Sequence, residues 1–94
     1  MKIIIDEKAK NFLNKKSNSV ITVDVKGCSS WSGVVLKPMA SLGKPLNADK
    51  YTLENVDGID VYVMNGINAV NDTVNVSTMS FLFIENLVVN GIIV

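Results

Sequence analysis

Val56-Asp57-Gly58-Ile59-Asp60-Val61-Tyr62-Val63-Met64 carries the plainest structural signal in the chain. Ile59, Val61 and Val63 alternate with Asp60, Tyr62 and Met64, so successive side chains divide between an apolar and a wetter face, as in a strand. Asp57-Gly58, just before it, is a strong turn dipeptide. Upstream, Tyr51 to Val56 has strand character; downstream, Asn65-Gly66 ends the run. Ile67 to Val70 reads as a single helical turn, and Thr73 to Thr78 as a strand with Val74 and Val76 pointing inward. The last segment, Phe81-Leu82-Phe83-Ile84 and then Leu87-Val88-Val89, is apolar enough for a buried strand interrupted near Glu85 and Asn86. Asn90-Gly91 closes it, and Ile92-Ile93-Val94 is either a final pairing strand or an interface.

The N-terminal half is read the same way. Lys2 to Ile5 is a β-branched run and a first strand. Asp6 is a plausible N-cap, since its carboxylate can accept from the unpaired N–H groups of a helix beginning at Glu7. Ala9, Phe12 and Leu13 then make one apolar stripe at i, i+3 and i+4, with Lys8, Lys10, Lys15 and Lys16 on the solvated surface. Ser17-Asn18-Ser19 is a turn. From Val20 to Val25, Ile21, Val23 and Val25 alternate with Thr22 and Asp24, giving a strand with one buried and one wet face. Val34-Val35-Leu36 is another strand, which Pro38 bars from a central, fully paired position. Ser41 to Asn47, with Gly43 and Pro45, is an irregular surface connection. The expected product is a single domain over residues 1–94, mainly β (α+β): two packed layers of short strands with one N-terminal helix.

Composition narrows the function. Nine lysines balance nine acidic residues among 94, so the formal charge is zero, and no Arg offers a bidentate fork for phosphate or guanine. Nucleic-acid binding is disfavoured. The absence of His removes the usual general base near neutral pH and the commonest metal ligand. One cysteine forms no internal disulfide. The apolar N-terminal run is far shorter than a signal-peptide core and ends in acids, and the Phe81–Val94 segment is too short to span a bilayer. A cytoplasmic protein without a membrane partner is expected.

The chemistry-bearing stretch is Lys26-Gly27-Cys28-Ser29-Ser30-Trp31-Ser32-Gly33, which holds the single Cys and the single Trp. Read as a small-residue loop after a strand, it exposes backbone N–H groups and one soft thiol to a metal, a sulfur species or a partner. Its structural alternative is a tight loop in which Trp31 caps a small core and Cys28 is buried and inert. An ammonium at Lys26 would favour the thiolate, the form that attacks and binds metal. A persulfide or mixed-disulfide carrier needs only that one thiol. Cys-His catalysis lacks a histidine, a phosphatase-type loop lacks an arginine, and the serines beside Lys26 suit a turn better than a Ser-Lys dyad. Enzyme activity is therefore not indicated.

The order strand, capped helix, strand, Gly27-Cys28-Ser29 and apolar strand resembles the HesB/IscA-like family of iron–sulfur carriers. Val56 to Val63, followed by a short turn and Asn71-Asp72-Thr73-Val74-Asn75-Val76, looks like that family's run from its central strand through a short helix to the next strand. Phe81 to Gly91 resembles its closing strand. The resemblance implies a HesB-like two-layer β-sandwich in which a first Cys after a glycine and a later Cys-x-Cys tail bind iron or an iron–sulfur cluster, usually shared between subunits. Cys28 matches the first position and nothing matches the tail. A closer resemblance is to short HesB-like proteins with a Cys-Cys or Cys-selenocysteine pair; Gly33 and Ser41-Leu42-Gly43-Lys44-Pro45 look like the stretch following that pair. Trp31 and Ser32 would then stand where the redox pair belongs, so this chain keeps the scaffold without the dithiol. The implied role is iron–sulfur or sulfur handling through Cys28, with a thiol or iron–sulfur protein as partner.

A second class of function competes with it. Apolar residues make up 48% of the chain, and Phe81, Phe83, Val88, Ile92 and Ile93 exceed what one inner face needs. A homodimer or larger homo-oligomer would bury the surplus. The chain would then be an interaction module that has lost its metal and redox site.

Overall fold

β1 (Lys2–Ile5) turns Ile3 and Ile5 inward, and Asp6 ends it. Asp6 is extended, and one carboxylate oxygen accepts the Ala9 N–H at 2.8 Å, which caps α1 (Glu7–Lys15). Ala9, Phe12 and Leu13 form its buried stripe, as the i, i+3, i+4 spacing requires. The other Asp6 oxygen accepts the Ser77 hydroxyl. That bond, more than the Ala9 N–H, holds the Asp6 carboxyl below its ordinary range against the opposing effect of burial. The helix is thereby fastened to β7 (Thr73–Phe81). The computed structural model describes residues 1–94, with the side chains of Cys28 and Ser30 outside the described residues.

Two sheets build the layers. β2 (Val20–Ser30), β3 (Gly33–Leu42), β4 (Tyr51–Val56) and β5 (Ile59–Met64) pair in the order β3-β2-β5-β4. β8 (Ile84–Asn90) completes a sheet of order β1-β7-β8, and β6 (Asn68–Ala69) pairs with β9 (Ile92–Ile93). β2 runs parallel to β5, β1 runs parallel to β7, and the other neighbours are antiparallel. The fold is mainly β with one helix. Between the layers lies an aliphatic core of Ile3, Ile5, Ala9, Leu13, Ile21, Val23, Ile59, Val61, Val63, Val74 and Val76. Each of its Ile, Leu and Val side chains contributes about 1.5–3 kcal/mol by leaving water. Pro38 falls within edge strand β3, where a missing N–H is tolerated.

Parallel pairing is confined to the roots of two long hairpins. β5 pairs with β2 only from Val20 to Val23, while β3 continues along β2 as far as Ser30. β1 pairs with β7 only from Thr73 to Val76, while β8 continues as far as Phe81. Past those points each hairpin is a two-stranded arm. Residues 34–36 are consequently exposed although their side chains alternate between both faces of the ribbon.

Several expectations need correction. Lys26 to Ser30 is not a loop: it extends β2, and only Trp31 and Ser32 turn the chain, because Gly33 takes φ +118° and lets the ladder resume at once. Strands of 11 and 10 residues are longer than the short ones expected. Val34 supports the extension from across the ladder, its Cγ1 lying where a Cβ on Gly27 would come within 3.1 Å. Phe81 to Ile84 is not a buried strand but the tip of a hairpin, and the chain reverses at Leu82-Phe83 rather than at Glu85-Asn86. The helical turn expected at Ile67 to Val70 is displaced: Asn68-Ala69 bridges to β9, and a 3-10 turn follows at Val70–Asp72. Finally, Thr22 and Asp24 are buried rather than wet, because the connection between β3 and β4 folds over their face.

Candidate functional site

The β2/β3 arm carries every residue singled out for chemistry. Lys26, Gly27 and Ser29 are exposed in β2 and pair with Lys37, Leu36 and Val34. Cys28 pairs through its backbone with Val35, and Ser30 with Gly33; their side chains lie outside the described residues. At the turn, Trp31 (108% exposed) is as open as in an extended peptide. Trp31 therefore caps no core, because the core ends where β5 stops pairing with β2. The arm brings these positions together along one ribbon, with the Cys28 backbone in its two-stranded part.

Sequence reasoning missed the second arm. Phe81, Leu82, Phe83 and Ile84 are all exposed, Phe83 completely (107%). Leu82 and Phe83 have φ of 49° and 68°. Positive φ at a bulky residue is a genuine outlier, and two consecutive ones are what a two-residue hairpin turn demands of Asn-Gly or Asp-Gly. The four-residue apolar run masked the turn because its composition is that of a core strand.

Beside these arms, the structure contains a polar cleft of about 750 Å³ against the outer face of the four-stranded sheet. Thr22, Asp24 and Lys26 reach it from β2, Ser41 from β3, Tyr51 from β4, and Met64 from β5. Lys44, Pro45, Leu46, Asn47, Asp49 and Lys50 close it from the connection. The Tyr51 hydroxyl donates to Asp24 Oδ2 at 3.1 Å. Burial first, and this bond second, push the phenol above its ordinary range, so it keeps the proton it donates.

Residues 1–92 match the model of the CC/Se motif containing family. The chain belongs to that family. No curated protein and no solved structure matches it. Since the sequence has a single Cys, this member of the CC/Se motif family holds no cysteine pair anywhere. Among the described residues, no three of His, Cys, Asp or Glu gather as a metal site, and no helix is long and apolar enough to cross a membrane. In this CC/Se motif protein two arms with apolar tips extend from a small aliphatic core.

Proposed function

We propose that this CC/Se motif protein is an assembly module that pairs with a second copy of itself through its hairpin tips. The observation carrying this reading is the complete exposure of Trp31 and Phe83 at the two turns. Burying Trp31, Phe81 and Phe83 removes roughly 150–250 Å² each, a large part of the ~800 Å² per partner of a standard interface. Val34, Leu36, Leu82 and Ile84, also exposed, extend it. A formal charge of zero leaves no net repulsion between copies. An isologous contact would use the same tips on both subunits. Sedimentation equilibrium tests this: the wild type sediments as a dimer or larger, and the Trp31→Ser, Phe83→Ser double variant as a monomer. A monomeric wild type at high concentration removes the reading.

A single-thiol role is the second reading, favoured by the backbone position of Cys28 in an arm outside the core. It takes up descent shared with the HesB/IscA-like carriers and a cytoplasmic setting. One chain with one cysteine and no histidine does not fit a cluster, which needs about four thiolate ligands. Two paired copies would offer two, leaving the others to a small thiol or a partner protein. Anaerobic reconstitution with iron and sulfide then gives a coloured species that Cys28→Ser abolishes. Colourless wild-type protein rejects iron–sulfur carriage, and sluggish alkylation of Cys28 near neutral pH rejects a reactive thiol.

A further inference from the structure

Asp24 is 4% exposed, and only one of its oxygens has a partner. Oδ1 is closed to solvent and accepts no hydrogen bond, an arrangement that costs a buried carboxylate heavily unless a donor reaches it. The side chain forms part of the wall of the polar cleft, alongside Lys26, Lys44, Lys50 and Met64. A donor entering the cleft must displace the side chains that cover Oδ1 to reach it. The surrounding wall is fixed at both ends of the β3–β4 connection. Gly43 N–H donates to the Val20 carbonyl at 2.8 Å, and the Thr22 hydroxyl to the Gly43 carbonyl at 2.7 Å. At the far end, Asn65 N–H donates to the Lys50 carbonyl at 2.9 Å, and the Thr52 hydroxyl to Asn65 Oδ1 at 2.6 Å. Both ends of the connection are thus fixed before anything binds, and the cleft's volume falls in the range of small-molecule sites.

We infer that this cleft binds a small zwitterion, a free amino acid or short peptide, whose ammonium reaches the unpartnered Oδ1 of Asp24 and whose carboxylate meets the lysines. A cationic donor suits Oδ1 better than a neutral one, because a charge-assisted bond is about twice as strong. Three lysines against two carboxylates, Asp24 and Asp49, leave the lining net positive once Asp24 is matched, which calls for an anionic group on the same ligand. Pro45, Leu46 and Met64 supply apolar wall for its carbon skeleton. Tyr51 positions the carboxylate by holding Oδ2, so that Oδ1 remains for the ligand. This site is independent of self-association at the arms.

An amide-resolved NMR titration of the full chain tests it, with glycylglycine and L-glutamate as probes, their N-acetyl derivatives, glycerol phosphate and inorganic phosphate. The zwitterions are expected to give saturable shifts gathered at residues 24, 44, 50 and 51. N-acetylation should weaken binding about tenfold or more, as should Asp24→Asn, while Tyr51→Phe has a smaller effect. The N-acetyl comparison uses the wild type, so it decides the matter even if the Asp24 variant misfolds. Equal binding of the N-acetyl forms, shifts from the phosphates alone, or no saturable shift at millimolar zwitterion overturns the proposal.

Discussion

Two hairpins in this molecule turn in two residues with positive φ at both, yet their sequences have nothing in common. Asp57-Gly58 joins β4 to β5 at φ of 53° and 81°, and Leu82-Phe83 joins β7 to β8 at 49° and 68°. The first pair is what such a turn prefers. The second holds bulky side chains in a region that costs of order 1–3 kcal/mol per residue, and points them at solvent. Asp57-Gly58 serves the fold, and its exposed carboxylate also reaches Lys10 of α1 at 3.0 Å. Leu82-Phe83 opposes the fold locally and is held in place by the β7/β8 ladder that it closes; on the proposed reading, a second copy covers its side chains. The Trp31 turn shares the exposure without the positive φ: its aromatic stands fully open at the end of an arm whose β3 strand lies against β8 nearer the core.

The largest expected effect separates root from arm. Ile21→Ala, at the fully buried root of β2, should lower stability by about 2–5 kcal/mol, whereas Val35→Ala in the arm should stay within about 0.5 kcal/mol; urea denaturation reads both. Similar losses at the two sites would mean the arm is covered in the monomer. Giving the second turn the chemistry of the first comes next. Leu82→Asn with Phe83→Gly should stabilise the monomer by about 1–3 kcal/mol by relieving the φ penalty, and a destabilised variant would show that the apolar turn is packed. The reverse experiment on the first turn is smaller. Gly58→Ala, at φ +81° with open space around its α-carbon, should cost about 1 kcal/mol through backbone conformation alone.

The smallest effect lies at the root of the β7/β8 arm. The Asp6 carboxyl titrates below its ordinary value because the Ser77 hydroxyl donates to it. Its stabilising share is therefore present above the unfolded-state value of about 3.9 and is lost as pH falls through the lower folded-state value. Asp6→Asn keeps a capping side chain and forfeits the charge at the helix N-terminus, a loss of about 0.3–1 kcal/mol near neutrality. Wild type and variant should converge in stability as the pH falls through the lowered folded-state value of Asp6. A constant gap down to that pH would contradict the assignment.

Much of the fold was legible in short-range pattern. The alternation at Ile59, Val61 and Val63, the Asp57-Gly58 turn, the Asp6 cap and the Ala9, Phe12, Leu13 stripe each follow from local chemistry, and the structure has them all. Where signals were long-range they were hidden. The length of β2 depends on Val34 and Leu36 pairing across Ser29 and Gly27, since small residues carry no strand pattern of their own. Apolar composition at Phe81 to Ile84 speaks for burial, and only the absence of a covering element places it outside. Asp24 obeys the alternation that assigns it to water, but a connection about twenty residues later in the chain and Tyr51 of a third strand close over it. Within the candidate site, Lys26 to Gly33 was found as a stretch but misread in form, and the cleft left no motif.

The claim that the tips exist for a second copy is tested most directly by melting at different protein concentrations. Binding that favours the native state makes Tm depend on concentration. For the wild type, Tm should climb steadily as the protein is concentrated. The Leu82→Asn, Phe83→Gly variant should melt higher than the wild type when dilute and lose most of that climb. A wild-type Tm that does not change with concentration would contradict the account.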